Sequence, residues 1–145
     1  MSIETILNGK PAELTTCRKE CTVLQCIQKM NEKKIGAVIV IDEKGKTDGI
    51  ITERDVLRFV DSKQGVPVSV TVSEIMTPRE RLVSADRTES IETLMNTMTQ
   101  KRIRHIPIIE NDELIGVISI GDVVKALLEK ALLENQSMKN YISGV

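Results

Sequence analysis

Gly116-Val117-Ile118-Ser119-Ile120-Gly121-Asp122 has a twin earlier in the chain, Gly49-Ile50-Ile51-Thr52-Glu53-Arg54-Asp55. Each is a glycine, an apolar β-type pair, a hydroxyl residue, two variable positions and an aspartate. A hydroxyl followed three residues later by a carboxylate, between a strand-like run and an apolar-periodic run, marks a helix start. Such a corner can cap its helix, hold a ligand at the helix end, or do both.

The twinning extends outward. Thr22-Val23, Met30 and Lys34 to Asp42 align with Ser90-Ile91, Met98 and Arg102 to Glu110, and Gly49–Phe59 aligns with Gly116–Ala126. Two repeats of roughly sixty residues are too few and too complex for a solenoid. A lone unit of that size is marginal, so the copies are expected to share a core.

Each repeat has one internal order. A short β-type segment comes first, Leu14–Cys17 in one copy and Arg81–Ala85 in the other. A helix follows, with apolar residues at three-to-four spacing: Val23, Cys26, Ile27, Met30, then Ile91, Leu94, Met95, Met98. Two strands joined by a polar turn come next, Ala37–Ile41 with Asp48–Thr52, and His105–Ile109 with Leu114–Ser119. Their near-continuous Val and Ile predict burial on both faces. A second helix starts at Thr52 or Ser119. The expected fold is therefore α/β with mixed sheets, two β-α-β-β-α repeats at 9–65 and 72–134 and a tail at 135–145. Gly65-Val66-Pro67 and Val72–Pro78 join the copies, and Ile3–Leu7 weakly matches the second of these joins. The final helix carries a wide apolar stripe, Val123, Val124, Leu127, Leu128, Ala131 and Leu132, which makes a homodimer the natural partner.

Composition narrows the function. The 145 residues are 41% hydrophobic and 28% charged with net charge −1, so the basic footprint of a duplex-binding domain is missing. Phe59 and Tyr141 are the only aromatics, too few for a single-strand stacking platform. Cys17, Cys21 and Cys26 follow no zinc spacing, and His105 is the only histidine; no metal site is expected, and core packing is the expected role of the thiols. No apolar run approaches membrane length, and the start Met1-Ser2-Ile3-Glu4 reads as no leader, so a cytoplasmic protein is expected. Nucleophile-elbow, Walker A and His-Glu-x-x-His motifs are all missing, which argues against an enzyme.

The duplicated strand-to-helix corner, the Glu74-Ile75-Met76-Thr77 lead into the second copy and Arg104-His105-Ile106-Pro107-Ile108 on its central strand resemble a tandem cystathionine-β-synthase (CBS) domain pair. The resemblance spans nearly the whole chain. The ending Tyr141-Ile142-Ser143-Gly144 is similar to that of small stand-alone bacterial CBS pairs. It implies a pseudo-two-fold pair of repeats and a regulatory module without an active site. Such modules bind adenosine-containing ligands (AMP, ADP, ATP, NAD or S-adenosylmethionine) in clefts between repeats and act on a partner protein. It further implies that Asp55 and Asp122 hold ribose hydroxyls and that Thr52 and Ser119 lie near phosphate or ribose.

Each assignment has a plainer counterpart. Thr52/Asp55 and Ser119/Asp122 are also good capping boxes. Arg104 and His105 can donate to a phosphate, or belong to a solvated charge run with Lys101 and Arg102. The first copy has Gly36-Ala37 in their place, and Arg54 where the second has Gly121. Two non-equivalent sites are expected. The competing expectation is a structural association module with vestigial clefts.

Overall fold

The computed structural model describes residues 2–10, 14–63, 65 and 68–142. In chain order the elements are α1 (Ile3–Asn8), β1 (Thr16–Cys17), α2 (Val23–Lys33), β2 (Ala37–Ile41), β3 (Thr47–Thr52), α3 (Glu53–Lys63), α4 (Val72–Ile75), β4 (Thr77–Pro78), α5 (Ile91–Lys101), β5 (His105–Glu110), β6 (Glu113–Ser119) and α6 (Ile120–Ile142). The helices, the two-strand hairpins and both corners fall where the periodicity predicts them. Of the expected joins and ending, Val66, Pro67, Ser143 and Gly144 lie outside the described residues.

The chain divides into two compact units that do not coincide with the two repeats. One contains 13–84 and 109–115, the other 1–12, 85–108 and 116–145. In the 13–84 unit, β1, β2, β3 and β4 form one sheet in that order. β1 runs parallel to β2, and the other two pairings are antiparallel. Val38, Val40 and Ile51 of the sheet bury against Cys17, Val23, Cys26, Met30 and Val72. Asp42 Oδ1 accepts the Lys44 and Lys46 N–H groups at 2.8 and 2.9 Å, which closes the β2–β3 turn around Gly45 at φ +80°.

β5 and β6 pair across a two-residue turn, Asn111-Asp112, with both residues at positive φ, a type I′ geometry; the turn belongs to the 13–84 unit, and 105–108 and 116–119 of the strands to the other. Ile106, Ile108 and Ile118 are buried with Ile91, Leu94 and Met98 of α5, Val123 and Ala126 of α6, and Ile3 of α1. α5 lies against α6, joined at the surface by Lys130 and Glu92 at 3.0 Å.

Two expectations change. Arg81–Ala85 is not a strand: Arg79–Arg81 forms a short 3-10 turn, and only Ala85 bridges, in parallel, to Ile108. In that segment Ala85 is buried, Leu82 and Val83 are half-buried and Arg81 and Ser84 are exposed, so burial does not alternate as in a strand. The strand that does form is Thr77–Pro78, at the edge of the other sheet, where a residue without an N–H is tolerated. In addition, α6 continues through the expected boundary at residue 134 to Ile142, with 131–142 exposed throughout.

The lead helices explain the unit boundaries. The cap residue Thr71, ahead of α4, bridges to Thr22, and Val72 N–H donates to the Cys21 carbonyl at 2.8 Å. Ser2, ahead of α1, bridges instead to Ser90. Each lead helix therefore docks on the α2-type helix of the repeat it does not precede. The motif glycines make room for this. A Cβ on Gly49 would strike the Thr77 carbonyl, and one on Gly116 would strike Leu7 Cδ2.

Candidate functional site

The first corner lies where β3 runs into α3. Asp55 Oδ2 accepts from Thr52 N–H at 2.9 Å and from Thr52 Oγ1 at 3.1 Å, and Asp55 N–H donates back to Thr52 Oγ1 at 3.4 Å. This is a capping box with Asp in the role of Glu. Glu53 N–H donates to the Gly36 carbonyl at 3.1 Å, which fixes the start of β2 against the helix end. Glu53 and Arg54 are exposed on the first turn.

The second corner repeats the scheme. Asp122 Oδ2 accepts from Ser119 N–H at 2.9 Å, and Asp122 N–H donates to Ser119 Oγ at 3.2 Å. Ile120 N–H donates to the Arg104 carbonyl at 2.8 Å, the counterpart of Glu53 to Gly36. That bond brings Arg104, exposed just before β5, to the N-terminus of α6; half-buried His105 follows it on the strand. Of the residues singled out from sequence, the fold thus gathers Arg104, Ser119 and Asp122 at one helix end, and Thr52, Arg54 and Asp55 at another.

One residue of the second corner had escaped notice. Lys10 Nζ donates to Asp122 Oδ2 at 2.6 Å and to the Val117 carbonyl at 2.8 Å. The two side chains are 34% and 25% exposed. Burial pushes the Asp122 carboxyl up, but the Lys10 ammonium and the Ser119 N–H outweigh it and hold the group below its ordinary value. The signal for Lys10 was present in the weak match of Ile3–Leu7 to the second lead segment. Extended to Ser2 and Thr71, that register sets Lys10 opposite Arg79. Arg79 does not repeat the contact; its Nη2 pairs with Asp112 Oδ1 at 2.7 Å. Among the described residues Asp55 has no ion pair, and Oδ1 of both aspartates accepts no hydrogen bond.

Two further places collect polar atoms. Cys17 Sγ lies 3.7 Å from Cys26 Sγ in the core of the 13–84 unit. The hydrogen bond between them, with burial, pushes the Cys17 thiol up, and it lowers that of Cys26. Among the described residues no cluster of His, Cys, Asp and Glu could hold a metal ion. A surface cavity of about 310 Å³ lies beside the β2–β3 turn, lined by Arg18, Lys19, Ile41, Asp42, Lys44 and Asp48 among others. Thr52 pairs with Ala37 at the opposite end of β2, so this cavity is remote from the Thr52–Asp55 corner. Its acids and bases balance, so it favours neither charge sign.

Comparison with known proteins gives a consistent result. The family model described as CBS domain matches residues 11–62 and 72–129. The CBS domain-containing protein CBSX3, mitochondrial, of Arabidopsis thaliana is 36% identical over 130 residues, 88% of this chain. The chain spans 63% of that relative's length. The crystal structure of a CBS-domain containing protein from Agrobacterium tumefaciens superposes with a TM-score of 0.81 at 35% identity, covering 87% of this chain and 98% of that one. The CBS domain pair of protein MJ0100, solved in complex with 5-methylthioadenosine and S-adenosyl-L-methionine, has a TM-score of 0.77 at 21% identity, covering 90% and 98%.

Proposed function

The chain belongs to the CBS domain family, and from that premise we propose that it is a regulatory module, without catalysis of its own, that binds an adenosine-containing ligand and passes its occupancy to a partner protein. The observation that carries this reading is the duplicated corner. Each presents an aspartate whose Oδ2 is engaged by its own helix cap while Oδ1 takes no hydrogen bond among the described residues. A carboxylate oxygen left this way can accept from a ribose diol, and the helix end beside it favours negative charge. Asp55 and Asp122 are the ribose acceptors in this reading, with Thr52 and Ser119 beside them. Arg104 and His105 serve phosphate at the second corner, and Arg54 is the basic side chain on the first turn of the other.

Melting scans with AMP, ADP, ATP, NAD and S-adenosylmethionine test it, since a ligand that binds only the folded state raises the midpoint. S-adenosylmethionine and 5-methylthioadenosine belong in the screen because MJ0100 carries them on the same fold. At least one compound should stabilise the protein, and Asp55→Ala and Asp122→Ala should each weaken it. Unchanged affinity in both variants would refute the ribose assignment. A bound ligand can act on a partner only through its difference in affinity for two arrangements of the protein.

A second reading, a structural association module, draws on α6. Val124, Leu128 and Leu132 stand 48%, 60% and 60% exposed along one side of it. An apolar row of this kind suits a second copy of the chain, and we assign it to a homodimer in either reading. A concentration-stable dimer whose melting point no nucleotide moves would favour the second reading over the first.

A further inference from the structure

We infer that Lys10 makes the Ser119–Asp122 corner selective for an anionic ligand, while the Thr52–Asp55 corner favours an uncharged one; this rests on the ligand-binding reading above. The helix N-terminus already carries partial positive charge, so an ammonium placed there runs against the macrodipole. Lys10 is held at that end by Asp122 and the Val117 carbonyl. Arg104 is anchored beside it through its own carbonyl, with its side chain exposed. Lys10 and the α6 dipole therefore set more positive than negative charge at Asp122, the carboxylate they meet. Only an added anion balances that set.

The other corner has the opposite balance. The first turn of α3 carries Glu53 and Asp55 beside Arg54, and Arg79, which corresponds to Lys10 by the match of the lead segments, is engaged with Asp112. Two carboxylates against one cation disfavour a phosphate. The difference arises from one contact between residues 112 positions apart in the sequence. Both aspartates engage Oδ2 twice and keep Oδ1 for a ribose, so the corners differ in charge and not in acceptor count. Losing the lysine should thus weaken phosphate-bearing ligands without weakening uncharged ones.

Calorimetry on the full chain with adenosine, AMP and inorganic pyrophosphate separates the possibilities. Lys10→Met should lower the preference for AMP over adenosine by about tenfold and abolish pyrophosphate binding. Lys10→Arg should keep both, and added salt should weaken AMP but not adenosine in the wild type. An unchanged AMP-to-adenosine ratio in a folded Lys10→Met protein overturns the assignment. Should that variant fail to fold, equal salt sensitivity of AMP and adenosine in the wild type and in Lys10→Arg overturns it as well. If neither adenosine nor AMP binds the wild type, the nucleotide reading falls. Lysine-dependent pyrophosphate binding would then still uphold the anion corner, and no pyrophosphate binding would refute that too.

Discussion

The Thr52–Asp55 and Ser119–Asp122 corners have the same backbone scheme and different ion pairing: Asp122 meets Lys10, and Asp55 meets no cation among the described residues. Both aspartates close a capping box, and both helix starts are tied to the head of the preceding repeat strand, through Gly36 in one case and Arg104 in the other. What differs is the lead segment that reaches each unit. Lys10 ends on the corner carboxylate, whereas Arg79 ends on the β5–β6 turn. Local geometry was kept through the duplication, and diversity entered through the segments that arrive from elsewhere in the chain.

The motif glycines should break the likeness most visibly. At Gly49 the obstacle to a Cβ is the Thr77 backbone carbonyl, fixed by the β3–β4 pairing. At Gly116 it is the end of the Leu7 side chain, which can turn away. Gly49→Ala should therefore cost about 3 kcal/mol and Gly116→Ala about 1 kcal/mol in chemical denaturation. Equal losses would mean that β4 yields as easily as a leucine methyl.

Next come the aspartates. Asp55→Ala removes a cap and should cost about 1 kcal/mol. Asp122→Ala also strands the partly buried Lys10 ammonium, so about 2 kcal/mol is expected, discounted for its exposure. The excess should depend on pH. The Asp122 carboxyl is held below its ordinary value, so its contribution is complete above the unfolded value of about 4 and is lost as pH falls through the folded value. Melting curves of the wild type and Asp122→Asn should converge in that acid range. A gap that persists there would show that the ion pair is not its source.

The smallest effect should be the most symmetric. Lys34 and Arg102 end α2 and α5 in the left-handed region, at φ 56° and 54°. Glycine relieves that strain at some entropic cost, so Lys34→Gly and Arg102→Gly should each stabilise by about 0.5 kcal/mol. A clear difference between the two would expose a side-chain role for one of them.

Much of this molecule was legible in its residues. The three-to-four spacing of α2 and α5, the Val/Ile strands and both Ser/Thr-x-x-Asp corners rest on hydrogen bonds and faces only a few residues long. Arg81–Ala85 has β-type residues yet forms no strand, because its burial does not alternate and its β partner among the described residues is the single bridge from Ala85 to Ile108. Lys10 shows in the sequence only through the weak match of Ile3–Leu7 to the second lead segment, because its partner Asp122 lies 112 positions away.

The sequence by itself determined the duplication, the helix–strand–strand–helix order within each copy, the family and the two capped corners, because each depends on short-range periodicity and local hydrogen bonding. Only the tertiary structure decided that α1 docks beside Ser90 and the segment leading into α4 beside Thr22, that Cys17 meets Cys26, and that Lys10 rather than Arg79 reaches a corner aspartate. The two repeats offer a lead helix nearly the same docking place. Which one it takes is settled by the packing of buried faces such as Ile3 and Val72, and the electrostatics of each site follow from that choice.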